Sequence, residues 1–161
     1  MDQKDQYVSI LKDKNRPWQE QAEAAFAVKE QRLWSHWSKD NGEPYQNFND
    51  FARDLGYAPQ TLYSRAKLRK DPRFEQIRDL PLKIQVVHRL FALAPDDPSF
   101  DVLVALLRCN VPQAKVVELI GSKNLAADLR RVAGDELKLE SVQQQISALQ
   151  LILSILETNE H

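Results

Sequence analysis

Cysteine is almost missing from this sequence: Cys109 is the single one among 161 residues. One thiol cannot close an intrachain disulfide, so no cystine framework supports the fold. Cys109 follows Leu106, Leu107 and Arg108 at the end of an apolar stretch, a context for a buried thiol rather than a nucleophile. Glycine is also scarce, with four residues, too few for the many tight turns of an all-β protein. No apolar run approaches the roughly 18 residues of a membrane span. Residues 1–6 are polar and lack the apolar core of a secretory signal. The expectation is a cytoplasmic protein with no membrane association. His36, His88 and His161 are scattered, and no cluster of His, Cys, Asp or Glu has metal-ligand spacing. A phosphate-binding Gly-rich loop is absent, and nothing marks a base for a serine or cysteine nucleophile. The chain is therefore expected not to be an enzyme and to carry no cofactor and no metal.

What the chain does contain points to helices. Hydrophobic residues make up 43% and charged residues 28%, enough apolar material for a packed core. Leu, Ala, Gln, Glu, Lys and Arg are abundant and favour helix. The expected fold class is all-α, a multi-helix domain. Net charge is −1, but its distribution is uneven. Residues 64–95 carry 8 basic and 3 acidic side chains, a local excess of +5 between flanks of −2 and −4. Such a stretch is either a phosphate-facing footprint or a solvated helix face.

Residues 1–15 hold a small apolar cluster (Tyr7, Val8, Ile10, Leu11), consistent with a short helix or a loose arm. Asn15 and Pro17 form a helix start. From there to about residue 38, Trp18, Ala22, Ala25, Phe26, Leu33, Trp34 and Trp37 recur at helical spacing, with one longer gap at Lys29 and Glu30. The pattern predicts one long helix bearing three tryptophans. Residues 39–44 break it. Further helices are expected over 46–55, 59–70, 73–79, 82–94, 100–109, 112–120, 125–132 and 136–157. Two prolines and two aspartates at 95–98 mark the best boundary. The expected organisation is a helical domain over 1–95 and a C-terminal helical region over 99–161.

One stretch carries a functional signal. Phe51 and Leu55 occupy the buried side of a first helix, and Ala52 is small where a second helix must pass close. Gly56 falls four residues after Ala52, where a tight turn needs a left-handed backbone. Tyr57 is the apolar turn residue, Pro59 opens the second helix, and Leu62 packs it against the first. This segment, residues 46–70, resembles the helix-turn-helix superfamily of DNA-binding proteins. With the aromatic-rich helix before it and the helix opened by Pro81 after it, it also resembles small regulators carried by plasmids and phages.

The resemblance implies that the second helix enters the major groove of double-stranded DNA. With Leu62 inward at 100° per residue, Gln60, Ser64 and Lys67 face outward with Thr61 beside them. Gln can pair with adenine, hydroxyls with bases or phosphates, and Lys with guanine or phosphate. Arg69, Lys70 and Arg73 follow at the helix end as expected backbone contacts. The segment departs from the pattern in two places. Ala58 stands where Ser, Thr or Asp would cap better. Arg65 and Arg69 turn inward on the wheel while Leu68 turns outward, so either the helix ends near Lys67 or Leu68 meets another neighbour.

The last expected helix is amphipathic and heptad-like. Leu139, Val142, Ile146, Leu149, Leu153 and Leu156 are spaced 3, 4, 3, 4 and 3, a seam for a homodimer or for packing within the chain. Together these features predict a sequence-specific DNA-binding protein, a transcriptional regulator acting as a homodimer. The alternative is a non-enzymatic helical interaction module, an adaptor or inhibitor with a protein partner, in which the helix-turn-helix is only a scaffold.

Overall fold

The computed structural model describes residues 2–136; the seam from Leu139 to Leu156 lies outside them. The described residues form an all-α, multi-helix structure without strand or sheet, apart from one isolated bridge between Ser38 and Pro44. The chain divides into two compact units, Met1–Lys83 and Ile84–His161. The helix expected over 82–94 thus groups with the second unit.

The first unit begins with α1 (Gln3–Lys12), which settles the choice between helix and loose arm. Leu11 is fully buried, and Tyr7, Val8 and Ile10 pack on the same core. Asp5 in the first turn and Lys12 in the last complement the helix dipole. In α2 (Trp18–Glu30) the residue before the helix is Pro17, which lacks the N–H that would go unpaired there. Trp18, Ala22, Ala25 and Val28 form its buried face, joined by Ala24 and Gln21. Burial of the Gln21 amide is compensated by a 2.6 Å hydrogen bond to the carbonyl of Asp13.

The long helix expected to continue to residue 38 stops at Glu30. Arg32 adopts a left-handed conformation with φ of 51°, and a separate 3-10 turn, Leu33–His36, follows. Trp18 is therefore the only one of the three tryptophans on α2. Trp37 leaves the helical path and packs 5.8 Å from the ring of Phe51 and 6.0 Å from that of Tyr7. Contact with residues distant in sequence outweighs the local helical pattern here.

Asn47 caps α3 (Phe48–Asp54), accepting a 2.8 Å hydrogen bond from the Asp50 N–H, while the Asp50 carboxylate accepts one from the Gln46 N–H at 3.0 Å. The helix ends in a Schellman turn. The Gly56 N–H donates to the Arg53 carbonyl and the Tyr57 N–H to the Ala52 carbonyl, both at 2.9 Å. This requires a left-handed residue after the helix, and Gly56 supplies it with φ of 86°. α4 (Pro59–Lys70) then starts at Pro59, with no side-chain cap from Ala58.

α4 runs to Lys70, past the point where its wheel pattern became ambiguous, and Leu68 is buried along with Leu62 and Ala66. α4 lies chiefly along α2 and touches α3 less extensively. Ala24, Ala25 and Val28 of α2 share one core cluster with Phe48, Phe51 and Ala52 of α3 and Leu62 and Ala66 of α4. Alanines on both α2 and α4 let these helices approach closely. A short α5 (Phe74–Ile77) closes the unit, with Phe74 edge-on to Trp18 at 5.3 Å. The Trp18 indole N–H donates to the Leu80 carbonyl at 2.9 Å.

In the second unit, α6 (Ile84–Phe91) packs on α8 (Gln113–Ile120), which also meets α7 (Ser99–Arg108) and α9 (Leu125–Glu136). Its core includes Val87, Leu90, Phe100, Leu103, Leu106, Val116 and Leu129. A second Schellman turn ends α7, with Asn110 in the left-handed position at φ of 62°. The Val111 N–H donates to the Leu106 carbonyl and the Asn110 N–H to the Leu107 carbonyl, both at 3.1 Å. Cys109, at the end of α7, is half-buried, and burial pushes its thiol pKa up.

Candidate functional site

The candidate site is built on the outer face of α4. Burial of Leu62 and Ala66 against the core turns Gln60, Thr61, Ser64 and Lys67 outward, and all four are exposed. The Ser64 hydroxyl donates to the Gln60 carbonyl at 2.9 Å, leaving its oxygen lone pairs free to accept. Lys67 makes no ion pair among the described residues.

These residues do not all share one surface. Gln60, Ser64, Lys67 and Lys70 line a cleft of about 400 Å³ with Tyr63, Ala66, Lys29 and Glu30. The cleft lies between the outer face of α4 and the C-terminal end of α2. Thr61 is exposed on a neighbouring strip of α4, outside the cleft.

Lys29 and Glu30 were not anticipated as site residues, although they interrupt the apolar pattern of α2. The Lys29 ammonium lies 3.0 Å from the Glu30 carboxylate and 5.4 Å from the centroid of the Tyr63 ring. Lys70 approaches the same carboxylate at 3.7 Å. The hydrogen bond and charge of Lys29, followed by the charge of Lys70, hold the Glu30 carboxyl below its usual range. Tyr63 is the one large hydrophobic residue exposed among the described residues, and its ring meets Phe48 edge-on at 5.0 Å.

The remaining expected contacts are engaged within the unit. Arg69 is half-buried, its guanidinium carbon 4.8 Å from the Phe74 ring centroid and its nitrogens 3.8 Å from Glu23 and from Glu75. Arg73, expected at the surface, is instead buried at 7% exposure. Its Nε and Nη2 donate to the two carboxylate oxygens of Asp71 at 3.0 and 2.8 Å. A fork-to-fork pair of this kind satisfies the guanidinium in place, and it holds the Asp71 carboxyl below its usual range. Arg78 pairs with Glu23 at 2.5 Å and Glu75 at 3.3 Å. Within the stretch, Asp71 and Glu75 pair with Arg73, Arg69 and Arg78, and from outside it only Glu23 and Glu30 offset the +5 excess read from the sequence, through Arg69, Arg78 and Lys70.

Among the described residues, no group of three or more His, Cys, Asp or Glu side chains is arranged to hold a metal ion, and no helix is long and apolar enough to cross a membrane. No protein-family model matches this chain, and no curated protein or solved structure matches it either.

Proposed function

We propose that this chain is a sequence-specific DNA-binding protein, a transcriptional regulator in which α3, the turn at 55–58 and α4 act as a helix-turn-helix. The observation that carries the reading is the division of α4 into two faces. Leu62 and Ala66 anchor it in the core, while Gln60, Thr61, Ser64 and Lys67 stand exposed over its first turns. Side chains of these types make base and phosphate contacts when a helix lies in the major groove. The glycine turn before Pro59 supports the reading, because it sets α4 at a fixed angle to α3. The heptad-like seam from Leu139 to Leu156 supports a homodimer, which would place two copies of α4 on two half-sites. In this reading the chain is a binding protein and not an enzyme.

The test is binding of the full chain to DNA fragments from its own genome across a salt series. Affinity should fall linearly on logarithmic axes as salt rises. Gln60→Ala should alter the sequence preference, and Lys67→Ala should weaken binding to all sequences alike. Absence of binding at low salt overturns the proposal.

A second reading draws on the internal pairing of Arg69, Arg73 and Arg78, which leaves few free cations for a phosphate backbone. It makes the chain a helical adaptor or inhibitor of another protein. A stoichiometric partner recovered from the native host and insensitive to nuclease would favour it. Dependence of that recovery on Lys67 alone would count against it.

A further inference from the structure

We infer that the cleft between the C-terminal end of α2 and the outer face of α4 seats a stretch of one DNA strand's phosphate backbone, with Lys29, Lys67 and Lys70 as its cationic lining and Glu30 as an internal counter-ion that the phosphate displaces. This presupposes the DNA-binding reading above and says where one strand lies.

The cleft, about 400 Å³, shares Gln60, Ser64 and Lys67 with the outer face of α4. A strand held there runs beside the groove that α4 enters. Its lining holds three ammonium groups and one carboxylate, a net excess of two positive charges, and the Asp71 carboxylate that Lys67 also influences is held by Arg73. In the free protein Glu30 spans two of them, at 3.0 Å from Lys29 and 3.7 Å from Lys70. Lys70 is 68% exposed. Exposed pairs of this kind are weak, so they can exchange partners when a polyanion arrives. The C-terminal end of α2 carries partial negative charge, and Lys29 in its last turn offsets it. Tyr63, seated between Lys29 and Phe48, gives the cleft a wall packed from both sides.

The experiment uses the full chain, a short mixed-sequence DNA duplex and salt between about 50 and 200 mM. Lys29→Gln and Lys70→Gln keep most of the side-chain stem and leave the core untouched. Each should lower the slope of log affinity against log salt by about 1 and weaken all duplex sequences equally. Glu30→Gln should tighten binding by about two- to fivefold, the scale of an exposed ion pair. The charge-matched control Glu43→Gln, in the exposed 39–44 turn, should change affinity less. If the unaltered chain binds duplex but both lysine variants keep its slope, or Glu30→Gln and Glu43→Gln act alike, the cleft assignment fails while the DNA reading stands. If the unaltered chain does not bind duplex at the lowest salt, both fail. If polyglutamate binds in place of DNA with the same lysine dependence, the cleft takes an acidic peptide and the assignment to DNA is overturned.

Discussion

Arg65 and Tyr57 meet in two ways: Nη1 of the arginine donates to the tyrosine hydroxyl at 2.7 Å, and the guanidinium carbon lies 4.8 Å from the centroid of the same ring. The Tyr57 hydroxyl donates onward to the backbone carbonyl of Leu11. That carbonyl sits in the last turn of α1, where helix carbonyls lack intrahelical partners. The turn before α4 is therefore bound both to α4 itself and to the end of α1.

Tyr57→Phe keeps the ring and removes the hydroxyl that serves both partners. Leaving part-buried groups unpaired should cost about 1–3 kcal/mol. Urea unfolding followed by tryptophan fluorescence is a suitable measure, since Trp18, Trp34 and Trp37 all lie in the first unit. An unchanged midpoint would show that this link contributes nothing to stability.

The pair of Asp71 and Arg73 predicts a specific dependence on pH. The hydrogen bond from Arg73 lowers the Asp71 pKa in the folded chain. Its stabilisation is therefore fully present above the unfolded value, about 4, and is lost as pH falls through the folded value. Asp71→Asn should destabilise by about 1–3 kcal/mol at neutral pH. The gap between the variant and the unaltered chain should narrow below about pH 4. Stability curves that stay parallel down to the acid transition would refute the linkage.

Gly56 combines a φ of 86° with open space around the place where a Cβ would stand. A substitution there meets backbone strain but no clash. Gly56→Ala should cost roughly 1–2 kcal/mol, and Gly56→Asn less, because asparagine visits the left-handed region more readily. Equal losses for both variants would point to a cause other than the backbone angle.

Leu68 distinguishes the helical wheel from the folded chain. The wheel turns it outward, yet it is 4% exposed. Leu68→Ala should destabilise by about 2–4 kcal/mol through lost burial and a residual cavity. A change within about 0.5 kcal/mol, the range of surface substitutions, would place it outside the core.

The polypeptide's local signals were legible where one residue type meets a requirement of its own turn or helix. Pro17, Gly56 and Pro59 stand at the element ends that their backbone chemistry suits. Leu62 and Ala52 are buried as their spacing implies. The exposed positions Gln60, Thr61, Ser64 and Lys67 follow from the same periodicity, since setting one face inward fixes the other. Lys29 and Glu30 were visible only as a gap in an apolar pattern. Nothing in their own neighbourhood says that a helix about 30 residues further on will form the opposite wall of a cleft.

The amino-acid sequence by itself determined the helical class, the glycine turn before α4 and the two faces of that helix, because each depends on residues within a few positions of one another. Tertiary packing alone decided that α2 stops at Glu30 so that Trp37 can reach Phe51, and that Leu68 finds a buried place. It also decided that Arg69 and Arg78 meet Glu23, more than 40 residues before them. Ion pairing and side-chain burial depend on which distant groups arrive within a few ångströms, and no periodicity records that. The helix-turn-helix reading consequently rests on fewer free cations than composition suggests, with Lys67 foremost among them.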